Sequence, residues 1–253
     1  MDFLLVSSAT DAYLLGHATA LLTALNKLVG PNGTLSAVLL SHVHGDHVGA
    51  LPLLLKAYPN ATVVFHEAEE PYIVGGKRWS PTWTQPGGGS VGLRAAQALW
   101  TLPPRQVVLS ASAKRVVLRG ASGAVPGAAG MTFHHTPGHS PGHVMYALPH
   151  LGKCIIGGDI ADVMVNTPFL SSLPDGRPMV PNVSVAYTLV GLEEADRATA
   201  DVSLCRAAHD RSIAYEWMLP YHNAHKRPLT RSEFAKMANE ATKGCPGITH
   251  RKG

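Results

Sequence analysis

The chain has 253 residues, 45% apolar and 15% charged, a globular composition that argues against disorder and allows a sizeable core. Its 21 Lys and Arg against 17 Asp and Glu give a net charge of +4, scattered along the chain rather than gathered, so charge lends no support to a nucleic-acid partner. Three cysteines, Cys154, Cys205 and Cys245, are widely spaced and odd in number, which predicts neither a disulfide framework nor a metal knuckle and points to a reducing compartment.

The opening residues MDFLLVSSATDAYLL carry no basic stretch, and their apolar run is too short and broken to span a bilayer. A soluble, cytoplasmic protein without a membrane partner is expected. From Asp11 to about Val29 apolar residues recur at helical spacing, with Asp11 as N-cap and Gly30-Pro31 as the stop. Leu35 to Leu40 and Ala61 to Phe65 are short apolar runs bounded by turn residues and read as strands, with helical character from His47 to Ala57 between them. Strand, helix, strand is an α/β unit.

Trp79 to Ser90 is rich in proline and glycine and reads as a surface loop; its GGG tract lacks the Gly-Lys-Ser/Thr of a phosphate cradle. Trp79, Trp83 and Trp100 either line a pocket or anchor packing. Arg115 to Arg119, Met131 to Thr136, His143 to Leu148 and Lys153 to Ile156 are four β-like runs that together predict a second, strand-rich half. Glu193 to His209 reads as a helix, Ala214 to Leu219 as a strand, and Thr230 to Lys243 as a last helix with Thr230 and Glu233 in capping-box spacing and Gly244 at its end. No break in composition marks a boundary, so one domain over residues 1–253 is expected.

Directly after the LSAVLL run comes Ser41-His42-Val43-His44-Gly45-Asp46-His47, three imidazoles and a carboxylate within six positions. On an extended backbone His42 and His44 point the same way and can converge on one ion, while Asp46 and His47, on the turn into a helix, can face a second. Imidazole nitrogen and carboxylate oxygen are what zinc and similar divalent ions accept. Thr136-Pro137-Gly138-His139-Ser140-Pro141-Gly142-His143 follows another strand, and its Pro-Gly turn presents His139; His143 either backs a ligand or lies at the surface. Gly157-Gly158-Asp159 again ends an apolar strand, which suits Asp159 to bridging two cations. Last, His222 and His225 follow the Ala214 to Leu219 strand as candidates to complete the second ion.

These motifs, HVHGDH, TPGHSPGH, GGD and a late histidine after a strand, in this order, resemble the metallo-β-lactamase superfamily over roughly Phe3 to His225. The resemblance implies an α/β fold, an αββα sandwich of two mixed sheets flanked by helices. By motif it implies His42, His44 and His139 on a first metal, Asp46, His47 and His222 on a second, and Asp159 between them. The family usually has an N-terminal hairpin and an Asp-Thr-Gly strand end before the first helix. Here FLLVSSATDAY stands in that place, so N-terminal strands are expected to be lacking from the first sheet.

The implied cofactor is zinc, two ions per chain, with iron or manganese as alternatives. The implied chemistry is hydrolysis of a small-molecule substrate by a metal-bridging hydroxide, with Asp46 as catalytic carboxylate. The wording of TPGHSPGH and of the Leu-Pro-Tyr-His segment is closest to the lactonase and organophosphate-hydrolase branch. An ester-like or lactone-like bond is therefore the expected target. Two other readings stand beside this one: an iron-dependent oxidoreductase resembling persulfide dioxygenases, and a metal-binding protein without activity. His17, His66, His134, His150 and His209 belong to no motif and are expected to be structural or exposed, with Cys154 a small core residue.

Overall fold

The computed structural model describes residues 2–6, 15–77, 107–128, 130–160, 197–219 and 228–245. Several expectations lie outside them: the helix start at Asp11, the loop from Trp79 to Ser90, Trp83, Trp100, residues 193–196, His222 and His225. The described residues divide into two compact units, one from the chain up to residue 119 and one from residue 120 onward.

In the first unit, α1 (Leu15–Val29) is a helix with Leu25 and Val29 on its buried stripe and Leu28, on another face, 70% exposed. It stops where the periodicity says. Gly30 turns to φ +69°, a left-handed conformation that costs glycine nothing, and its N–H reaches the Asn26 carbonyl at 2.9 Å before Pro31 ends the run. The strands β1 (Asp2–Val6), β2 (Thr34–Leu39), β3 (Thr62–His66) and β4 (Arg115–Leu118) form a sheet in that order, with every pairing parallel. Parallel neighbours need a crossover. Here α1 connects β1 to β2, and the short α2 (Gly45–Val48) with α3 (Leu51–Ala57) connects β2 to β3. Such strands are covered on both faces, which is why β2 and β3 read as near-continuous apolar runs; Val38, Leu39, Val63, Val64 and Phe65 are at most 1% exposed. Beyond β3 a single 3₁₀ turn leads into α4 (Glu70–Ile73).

The second unit is a six-stranded sheet in the order β10-β9-β8-β7-β6-β5, made of β5 (Ser122–Ala124), β6 (Thr132–His135), β7 (Val144–Leu148), β8 (Cys154–Ile156), β9 (Trp217–Leu219) and β10 (Leu229–Thr230). All its pairings are antiparallel except β8 with β9. Two helices, α5 (Arg197–His209) and α6 (Arg231–Thr242), share one apolar cluster with the sheet, built on Met145, Ile155, Met218, Leu204 and Phe234. Phe234, Ala238 and Thr242 stand four residues apart and form the buried stripe of α6. Its N-terminus is the capping box that the sequence announces: Glu233 N–H donates to Thr230 Oγ1 at 3.2 Å, and Thr230 N–H donates to Glu233 Oε2 at 2.8 Å. Thr230→Ala is expected to cost about 1 kcal/mol in a urea melt. An unchanged midpoint would mean that packing alone fixes this helix start.

The structure corrects the sequence reading in three places. Arg115 to Leu118 is not part of the second strand-rich half; it pairs with β3 in the first sheet. Strands β5 and β10 were not legible, because Ser122-Gly123-Ala124 and the two-residue Leu229-Thr230 carry no strand pattern of their own. Cys205 on α5 and Cys245 beyond α6 form a disulfide across a sequence separation of 40, and only Cys154, buried in β8, is free. An odd count therefore concealed one pair, and the cysteines no longer argue for a reducing compartment. Among the described residues no helix is long and apolar enough to cross a membrane.

Candidate metal-binding residues

Leu40 N–H bonds the Val64 carbonyl at 2.8 Å, so pairing of β2 with β3 persists to Leu40, and the chain leaves the sheet at Ser41. The candidate segment thus sits at the carboxyl end of a buried parallel strand, where open α/β sheets hold ligands. His44 starts the turn: its carbonyl accepts from His47 N–H at 3.0 Å and from Val48 N–H at 3.1 Å. That turn swings His47 back toward His42. Ring centroids lie 4.5 Å apart for His42 and His44, and 3.8 Å for His42 and His47. All three rings are buried, His42 completely, although imidazole belongs to the residue types that usually keep some exposure.

Ser41, a residue the sequence reading did not single out, explains how the rings are held. Its Oγ lies 3.2 Å from His42 Nδ1 and 3.3 Å from His47 Nδ1. A hydroxyl oxygen has two lone pairs, so both Nδ1–H groups can donate to it. Both Nε2 atoms are then the basic nitrogens that a metal needs, with the tautomer set by the outer hydrogen bond. Glu69 is a second residue the motifs did not reveal. It is fully buried, and its Oε2 accepts the Val43 N–H at 3.3 Å across 26 residues, fixing the backbone between His42 and His44. The backbone of Asp46 lies in α2; its side chain is outside the described atoms.

The second unit carries the other donors. The Pro137-Gly138 turn after β6 presents His139, and Gly138 has φ +125° with its open side against the backbone of Ala200 on α5, where a Cβ would collide. Only glycine fits there. Ser203 on α5 clamps the same turn, donating to the Pro137 carbonyl at 2.7 Å. Asp159 follows β8 in a 3₁₀ turn, Gly158–Ile160. His139 Nε2 and Asp159 Oδ2 are 3.3 Å apart, both nearly inaccessible. His143, left open by the sequence, is fully buried: its Nε2 accepts Asp159 N–H at 2.9 Å and its Nδ1 lies 2.8 Å from Thr136 Oγ1.

The histidines outside the motifs have local roles. His66 caps the turn after β3, its Nδ1 accepting from Ala68 N–H at 3.3 Å, and His209 Nε2 meets Asn239 Oδ1 at 3.0 Å. Burial, then the nearby Arg206 charge, lowers the pKa of His134.

The family model described as "Metallo-beta-lactamase superfamily" matches residues 9–164. The chain belongs to the metallo-β-lactamase superfamily. That match holds six of the seven expected ligands, His42, His44, Asp46, His47, His139 and Asp159, and leaves His222 outside. Among curated relatives, "Probable metallo-hydrolase YflN" of Bacillus subtilis (strain 168) is 27% identical over 173 residues, 65% of this chain and 62% of that protein. The match thus spans about three-fifths of that relative's length. Among solved structures, BLEG-1 B3 metallo-beta-lactamase has a TM-score of 0.54 at 19% identity, over 96% of this chain and 90% of that one. TTHA1623, solved in a di-iron-bound form, has a TM-score of 0.50 at 24% identity, over 86% of this chain and 82% of that one. The two sheets with their helices are the metallo-β-lactamase fold.

Proposed function

We propose that this chain is a hydrolase of ester-like or lactone-like small molecules that holds two divalent cations, zinc in the first place. In this reading, which follows the family's motifs, His42, His44 and His139 would hold one ion and Asp46, His47 and His222 the other, with Asp159 between them. The observation that carries it is the chemistry of the donors. Four imidazoles and one carboxylate, on turns that follow strands, are all at most 8% exposed. A fold buries that many ionisable groups at a cost unless they ligate something.

Two cations in such a set lower the pKa of water and polarise the electrophilic oxygen, so no serine or cysteine nucleophile is required. The residues supply the rest. Ser41 holds the His42 and His47 rings through their Nδ1 atoms, Glu69 fixes the backbone between His42 and His44, and α5 fixes the His139 turn. Asp46 would orient the nucleophile or pass a proton to the leaving group. The relative named a probable metallo-hydrolase supports hydrolysis, and the di-iron form of TTHA1623 supports iron as the alternative metal. The scattered charge of +4 favours a small substrate over a nucleic acid.

The test is metal analysis of the purified protein joined to a panel of lactones, thioesters, phosphotriesters and β-lactams. About two equivalents of metal per chain are expected, with lactone or ester turnover that a strong chelator abolishes and added zinc restores. Full activity of metal-free protein would end the reading. Iron content with oxygen uptake and no hydrolysis would replace it by an oxidoreductase.

A further inference from the structure

We infer that His143 is a positioning residue for Asp159, setting the carboxylate through its main-chain amide. The inference rests on the reading of Asp159 as a metal ligand. A backbone N–H can only donate, so the 2.9 Å contact from Asp159 N–H makes His143 Nε2 an acceptor and leaves the single proton of the neutral ring on Nδ1. That proton goes to Thr136 Oγ1 at 2.8 Å, and the Thr136 hydroxyl turns its own proton to the His143 carbonyl at 3.5 Å. Thr136 N–H also donates to that carbonyl, at 2.8 Å. Every member has one role, and none can reverse without breaking another bond.

The chain of bonds joins three strand ends. Thr136 lies just past β6, His143 just before β7, and Asp159 just past β8. All three residues are at most 2% exposed, so water offers no substitute for a lost partner. Both ring nitrogens of His143 are engaged, which makes it a support and not a ligand. Its ring also stands edge-on to His139, with centroids 5.8 Å apart and planes at 83°. One ring therefore braces both donors of this unit, whose Nε2 and Oδ2 are 3.3 Å apart. Gly158 turns at φ +55°, the left-handed region that glycine adopts freely, and the amide bond to His143 restrains the chain at the next residue.

The test measures zinc affinity by chelator competition and metal content on the purified full chain, with urea melts of the metal-free protein alongside. His143→Phe keeps the ring but removes the acceptor and the donor; zinc affinity is expected to fall about 10- to 100-fold, the usual effect of losing an outer partner of a ligand. His143→Gln, whose amide can accept from Asp159 N–H and donate to Thr136, is expected to recover part of that loss. Thr136→Val, which keeps the shape and leaves Nδ1–H without its acceptor, is expected to weaken zinc severalfold and decides the matter if His143→Phe does not fold. A merely packing role would lower the urea midpoint and leave zinc affinity at the wild-type value; that result overturns the inference. Asp159→Asn separates the two readings: if it binds zinc like wild type, Asp159 is no ligand and the underlying reading falls first.

Discussion

His42→Ala is expected to lose bound metal and to lower turnover by at least about a hundredfold, beyond what removal of an outer partner alone brings. The size of the effect follows from where the ring sits. His42 is completely buried, lies between His44 and His47 at centroid distances of 4.5 and 3.8 Å, and shares Ser41 with His47. Its loss removes one donor and frees Ser41 Oγ to turn toward His47 Nδ1 as donor, which would move the His47 proton to Nε2 and spoil that ligand too. Folding should survive, because the strands on either side of the segment are held by Val38, Leu39, Val63 and Val64, all at most 1% exposed. Metal content, kcat/KM and a urea melt on the same preparation check this. The control is His66→Ala, which removes another buried imidazole, one that caps a turn, and which should leave metal content unchanged. Full metal in His42→Ala, or equal metal loss in both variants, would remove His42 from the ligand set.

What was legible in the sequence was local. His42, His44 and His47 lie within six positions after a strand, and the strand end and helix turn that aim them are adjacent in the chain, so spacing alone predicts their convergence. The α6 cap was legible for the same reason, since its two partners are three residues apart. What failed depends on distant pairing. Arg115 to Leu118 looks like any short strand, and its neighbour, β3, lies about fifty residues upstream, where no local pattern can announce it. The Cys205–Cys245 bridge follows from how α5 and α6 pack, and Glu69 reaches Val43 only because β3 lies beside β2. His143 was visible as a residue but not as a role. Its meaning comes from Asp159, sixteen positions on, across the β7–β8 pairing.

His222→Ala is expected to lose about one equivalent of metal, whereas His225→Ala keeps both, and the strand register gives the reason. β8 and β9 run parallel, with Cys154 opposite Trp217, Met218 opposite Ile155 and Leu219 opposite Ile156. Gly157 N–H continues the ladder to the Leu219 carbonyl at 2.9 Å, so the two strands end level. Asp159 stands three positions past Ile156, and His222 stands three positions past Leu219. The equal offsets from paired positions on parallel strands are the basis for expecting His222 rather than His225 to be the ligand. His225 stands six past, beside Lys226 and Arg227, whose charge opposes a neighbouring cation by about 1 kcal/mol at 4 Å even in water and by more near a protein surface. Both variants should be compared at fixed zinc, with bound metal and turnover measured together. Loss of the second metal in His225→Ala with retention in His222→Ala would mean that the chain past β9 does not keep the step of its neighbour, and the ligand would have to be reassigned to His225.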